Sequence, residues 1–246
     1  MYFCGVKNGI YRMSIARTLY SVITVLFFTS CASEYNIHGN SSVSRLDGKM
    51  LFVKVPQDGE MINVDSAEVV HGLFKMQGEI DSAVIASLYM DEQSILPLVM
   101  ESGNIRIQID NGRLTVSGTP LNDILYDFVA QKNSLEDRAY EVERLESRMI
   151  MDGKPMEEVE TEITREREKL SKEMDDLVKT FIQTNYENVL GPGIFLMLCN
   201  SFPYPLMTPL LEEIVGNAPE SFKNHNLIKE YIEVARSNME RLNAER

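Results

Sequence analysis

Asn104-Ile-Arg-Ile-Gln-Ile-Asp110, Asn111-Gly112 and Arg113-Leu-Thr-Val-Ser-Gly-Thr119 run straight into Pro120, and this stretch holds the change that divides the chain. Ile105, Ile107 and Ile109 alternate with Arg106, Gln108 and Asp110, the period-two pattern of a strand with one buried face. Asp110-Asn111-Gly112 is a hairpin turn, because asparagine and glycine accept the positive φ that a tight turn requires. Arg113 to Thr119 is the return strand. From Pro120 onward the apolar period lengthens to about 3.5 residues, the mark of an amphipathic helix.

Upstream of this point the same signals recur. Tyr35-Asn-Ile-His-Gly39 is extended in character, and Asp47-Gly48 is a turn. Met50 to Pro56, Ile62 to Val70, Leu73 to Ile80, Ala83 to Met90 and Ser94 to Met100 read as strands, with turns at Asp58-Gly59 and His71-Gly72. Short strands at turn spacings of about 8–12 residues predict an antiparallel sandwich or a partly closed barrel over residues 31–119.

Downstream, Leu121, Leu125, Phe128, Leu135, Ala139, Val142 and Met149 form one apolar stripe, interrupted by Lys132. A second comprises Met156, Val159, Ile163, Leu170, Met174, Leu177 and Phe181. Met151-Asp-Gly-Lys-Pro155 separates them, so an antiparallel helical hairpin is predicted over about 121–184. Its outer face is rich in glutamate, with Arg165-Glu-Arg-Glu-Lys169 at its centre, and reads as a solvated, ion-paired surface or a docking surface for another envelope protein. The rest of 120–246 is read as helical: an apolar run Ile194 to Cys199 after Gly191-Pro192-Gly193, a helix from Leu206 to Val215, and a terminal helix from Asn226 to Asn243. The fold class is therefore α+β.

The first thirty residues read as an address. Lys7, Arg12 and Arg17 precede an apolar run from Thr18 to Ser30, no acidic residue occurs, and the run closes on Cys31. A spanning helix needs about 20 apolar residues, more than this run contains. Residues 1–30 are thus expected to be a signal peptide, with Cys31 the lipid-attachment residue and the membrane a partner through that lipid. Met13 to Cys31 is by itself a complete short signal, with Arg17 as its positive region. Removing residues 1–30 takes away three basic side chains and moves the formal charge from −13 to −16. Such a body repels phosphate backbones, and no basic stripe interleaved with aromatics offsets this, so nucleic acid is not an expected partner.

Few residues offer chemistry. His38, His71 and His225 lie far apart with no ligand-like spacing, and no metal or cofactor is expected. Hydrolase, nucleotide and nicotinamide motifs are lacking in the sequence, and the protein is read as non-catalytic. Asp65 and Asp81 follow strand-like residues and are read as turn or capping groups, with paired-acid hydrolysis as the competing reading. Outside the targeting segment, which holds Cys4 and Cys31, the cysteine is Cys199, in an apolar run. It reads as a buried core thiol, with a redox role as its alternative.

Val64-Asp-Ser-Ala67, His71-Gly-Leu-Phe-Lys-Met-Gln-Gly78 and Val116-Ser-Gly-Thr-Pro-Leu-Asn122 together resemble the domain of unknown function 4369 family, over about residues 35 to 130. The resemblance implies an envelope lipoprotein of a Gram-negative bacterium, lipid-anchored at the outer membrane. In many members the helical region leads to a thioredoxin-like domain with a CxxC site, and this chain, ending at Arg246, is expected to correspond to the non-catalytic front half. Two functions follow as expectations: a binding or structural module of the envelope, or an accessory to envelope thiol-disulfide chemistry.

Overall fold

The upstream segments form eight strands, and burial alternates clearly along Ser33–Ser41, Leu73–Ile80 and Gly103–Asp110. The computed structural model describes residues 33–57 and 59–244, so the expected signal peptide and Cys31 lie outside the described residues. The strands are β1 (Ser33–Ser41), β2 (Met50–Gln57), β3 (Glu60–Glu68), β4 (Leu73–Ile80), β5 (Val84–Met90), β6 (Gln93–Met100), β7 (Gly103–Asp110) and β8 (Arg113–Ser117). They form two open four-stranded sheets, ordered β4-β1-β7-β8 and β3-β2-β5-β6. Ile37, Ile105, Ile107 and Phe74 from the first sheet meet Leu51, Val53, Leu88 and Leu98 from the second in one apolar core.

Two expectations need correcting. The barrel alternative does not form, because β6 and β8, the edges that would have to meet, are not paired. The sandwich is also not wholly antiparallel: β1 lies between β4 and β7 and runs parallel to β7, with His38 opposite Arg106. The second sheet is inserted in sequence between β1 and β7, so no tight turn imposes an antiparallel pairing on them.

The downstream half is helical throughout: α1 (Pro120–Met151), α2 (Met156–Thr184), α3 (Leu190–Cys199), α4 (Pro209–Asn217), α5 (Glu220–Lys223) and α6 (Asn226–Ala244). The hairpin arms contain 32 and 29 residues, about 48 and 44 Å at 1.5 Å per residue. At its base, Leu125, Phe128, Phe181 and Ile182 join the core built by α3, α4, α5 and α6. Its outer part has a separate small core of Val142, Val159, Ile163 and Leu170, supplied by the two arms alone. Ala139, placed on the stripe by its spacing, is exposed, and Met156 is too. The arms are also tied by ion pairs between Arg138 and Glu173 and between Arg167 and Glu146.

In the C-terminal region the second helix begins at Pro209 rather than Leu206. Thr208 caps it, its hydroxyl accepting the Leu211 N–H at 3.3 Å, while the Leu206 N–H is held outside the helix by the Tyr231 hydroxyl at 3.2 Å. The short α5 was not anticipated from the sequence. The helical core is seated directly on the second sheet: a Cβ at Gly193 would lie 1.9 Å from Ile85 Cδ1, so a larger residue there would have to push the tip of Ile85 aside.

Where strand hands over to helix, Asn122 is fully buried in the first turn of α1. Its side-chain oxygen accepts the Val99 N–H at 2.8 Å, and its amide nitrogen donates to the Val99 carbonyl at 2.7 Å and to Thr119 Oγ1 at 2.9 Å. Glu101 Oε1 accepts the N–H groups of Leu121 and Asn122 at 2.8 and 3.1 Å, supplying the cap that the Thr119 side chain does not. Removing the Asn122 amide leaves the Val99 N–H and C=O buried without partners, at a cost of about 1–3 kcal/mol for each. Asn122→Ala is therefore expected to lower unfolding free energy by about 2–4 kcal/mol in chemical denaturation; a loss below about 1 kcal/mol would mean that the junction does not depend on this side chain.

Candidate functional site

The first turns of α1 cross the rim of the sandwich and leave a cleft of about 690 Å³ between the helix and strands β6 and β8. Its apolar side is made by Ile95, Pro97 and Val129, and its polar side by Arg113, Thr115, Asp127 and Asn133. Two other lining residues are already committed to structure. Tyr126 donates its hydroxyl to the Pro97 carbonyl at 3.0 Å, and burial raises its phenol above the ordinary tyrosine range. Asp123 accepts the Gly118 N–H at 2.9 Å. The remaining donors and acceptors, one guanidinium, one carboxylate, one amide and one hydroxyl, suit recognition of a polar ligand against an apolar wall. Among the described residues, the lining contains neither histidine nor cysteine.

The residues singled out from sequence are scattered over the fold. Cys31 lies outside the described residues. Cys199 ends α3 and is buried in the helical core. Burial pushes its thiol up to about 12, against a smaller opposing effect of a hydrogen bond with the Tyr231 hydroxyl. Asp65 on β3 accepts the Tyr35 hydroxyl at 2.8 Å and the Ser66 N–H at 2.7 Å. Asp81 occupies the bend between β4 and β5. His38 lies on the outer face of β1, His71 in the turn before β4 at φ 53°, and His225 between α5 and α6. Among the described residues, no three of His, Cys, Asp and Glu converge in a way that could hold a metal ion.

The glutamate-rich face of the hairpin is laced with local pairs, Arg165 reaching both Glu162 and Glu166. Met149 is half-buried against the outer hairpin core and Met174 is half-buried on α2, whereas Met151 and Met156 are exposed at the hairpin turn. Sequence reasoning missed the cleft altogether, together with Glu101 and the part played by Asn122. The available signal was Thr119-Pro120-Leu121-Asn122, an asparagine in the first turn of a helix next to an apolar face.

Residues 35–125 match the family model described as "Domain of unknown function (DUF4369)". The match covers the sandwich from β1 and ends within the first turns of α1, so it includes the Asn122 junction and most of the polypeptide around the cleft. No curated protein matches the chain.

Cys199 gives the most direct test of this description. In a background with Cys4 and Cys31 replaced by serine, the folded protein is expected to react with an aromatic disulfide reagent at pH 8 about a thousand-fold more slowly than a free thiol, and to react fully once denatured. Rapid labelling of the native protein would show that α3 exposes its last turn.

Proposed function

We propose that this DUF4369 domain and its helical extension form a non-catalytic binding module of the bacterial cell envelope, held at the outer membrane by lipid on Cys31. The cleft under α1 carries the binding part of the reading. It is preformed, because both walls are fixed by hydrogen bonds within the sandwich-helix junction, and it offers uncommitted polar groups beside an apolar wall. The tether rests on the sequence: basic residues, an apolar run and a small residue directly before Cys31. One acyl chain holds marginally and two or more hold firmly, at about 0.8 kcal/mol per buried methylene. Against the accessory thiol-redox reading stands the burial of Cys199, which leaves its sulfur almost wholly protonated at neutral pH.

Intact mass of the protein extracted from envelopes tests the tether. The expected mass corresponds to a chain starting at Cys31 plus acyl groups, and Cys31→Ala abolishes the addition; an unmodified soluble chain in both would discard the membrane. The cleft is tested by the absence of tryptophan from the sequence. Ala130→Trp places a reporter on its helical wall, and envelope extract should change its emission saturably, while Arg144→Trp on the hairpin stays silent. Equal responses from both would remove the cleft as the binding site.

A further inference from the structure

The outer face of the β4-β1-β7-β8 sheet carries a row of basic groups. In the strand registers Lys75 lies opposite His38, His38 opposite Arg106, and Arg106 opposite Ser117, so one line crosses all four strands. Neighbouring strands are about 4.8 Å apart, which brings three nitrogen-bearing side chains side by side. The sequence contains 37 acidic residues against 24 lysines and arginines, yet among the described residues neither Lys75 nor Arg106 forms a salt bridge.

The flanking rows carry no charge, and all their members are polar except Leu73, which lies opposite Asn40 at the β4 end of one row. On one side lie Gln77, Asn36 and Asn104, and on the other Asn40, Gln108 and Thr115. Carboxylates enter only beyond these, at Glu34 and Glu79 towards one end and at Asp110 towards the other; Asp110 is engaged by Ser42 at 2.7 Å and by Gln108. A shallow groove of about 360 Å³ follows the basic row, lined by His38, Asn40, Lys75, Arg106, Gln108 and Ser117 among others. Gly118, just past β8, is held at φ +98° with the Asn104 carbonyl oxygen 2.5 Å from where a Cβ would sit, and the Arg106 guanidinium lies alongside, its Nε 3.2 Å from the same point.

We propose that this face binds an anionic saccharide, with Lys75, His38 and Arg106 holding its oxyanion and the amide rows on either side reading its hydroxyls. A guanidinium and an ammonium supply the charge-assisted hydrogen bonds that a carboxylate or phosphate oxygen accepts. Gln77, Asn36, Asn104 and Asn40 offer amide donors and acceptors, matching sugar hydroxyls, which are both, while the amide nitrogen of Gln108 already donates to Asp110. The groove has room for one sugar ring with its charged group. The inference stands on the sheet face itself and does not depend on the lipid tether or on ligand binding in the cleft.

Calorimetric titration of the full chain with glucose 6-phosphate, glucuronate, glucose and inorganic phosphate, with the chemical shifts of the His38 ring followed by NMR, tests this. Glucose 6-phosphate or glucuronate should bind at least ten-fold more tightly than glucose and inorganic phosphate, shift the His38 ring, and weaken as salt is raised. Preference for the first places the oxyanion as a phosphate, preference for the second as a carboxylate. Arg106→Gln and Lys75→Gln, both at exposed positions, should each weaken binding about ten-fold with unchanged thermal unfolding, whereas Lys54→Gln on the other sheet leaves it intact. Equal affinity for the anionic sugars and for glucose, or affinity unaffected by both sheet-face variants, overturns the proposal. Inorganic phosphate binding as tightly as the sugar phosphate overturns the saccharide assignment.

Discussion

Asn122 presents to strand β6 the donor and acceptor that a neighbouring strand would present. Val99 gives its N–H to the side-chain oxygen and its carbonyl accepts from the side-chain amide, so a single residue of a helix closes a sheet edge. Further along the same edge, Pro97 has no N–H to satisfy and its carbonyl accepts from the Tyr126 hydroxyl. An exposed strand edge is a template for unwanted pairing. Here α1 removes that template along this part of β6, and in doing so fixes its own position against the sandwich. Glu101 adds a carboxylate to the positive end of α1, so β6 and its following residue cap the helix that caps the strand.

The rest of the architecture inherits this geometry. With β6 satisfied by side chains, it has no call on β8, and the two sheets remain an open sandwich with a cleft where a barrel seam would be. Tyr126 packs against both the sandwich core and the helical core, which makes it the apolar counterpart of the Asn122 contact. The base of the hairpin is therefore held firmly, and Phe128 meets Phe181 with ring centroids 4.3 Å apart. The outer hairpin relies on four buried side chains and on interarm ion pairs, which contribute little when exposed. Opening of that outer part costs less than opening of the base.

Much of this was legible from residue order, and the exceptions share a cause. Isoleucines at 105, 107 and 109 identify a half-buried strand with no tertiary information, and the break from Met151 to Pro155 marks the hairpin turn, because both signals are local. The match over residues 35–125 agrees with the resemblance carried by the aspartate-serine, glycine-leucine-phenylalanine and valine-serine-glycine-threonine segments. The parallel pairing of β1 with β7, the cleft and the Asn122 junction are contacts between residues remote in sequence, which no periodicity encodes. Ala139 shows the reverse failure. Its spacing fits the stripe, but at that point the arms meet through neighbouring positions and its methyl group faces solvent.

The parallel pairing also shows why the basic row escaped a reading of composition. His38, Lys75 and Arg106 are separated along the chain by whole strands, and in a strongly acidic sequence they register only as isolated cations. Inserting β1 between β4 and β7 brings all three to one level of the sheet. Had β1 slipped by one residue, His38 would have turned into the core and the inward-facing Ile37 and Gly39 to solvent, because side chains alternate strictly across a strand. Register is fixed by the buried face, through Ile37 and its neighbours in the core, so the placement of the basic groups on the outer face follows from the same apolar contacts that hold the sandwich together. The overall negative charge then works in favour of selectivity: an anion approaching the protein is repelled over most of its surface and meets concentrated positive charge along this line.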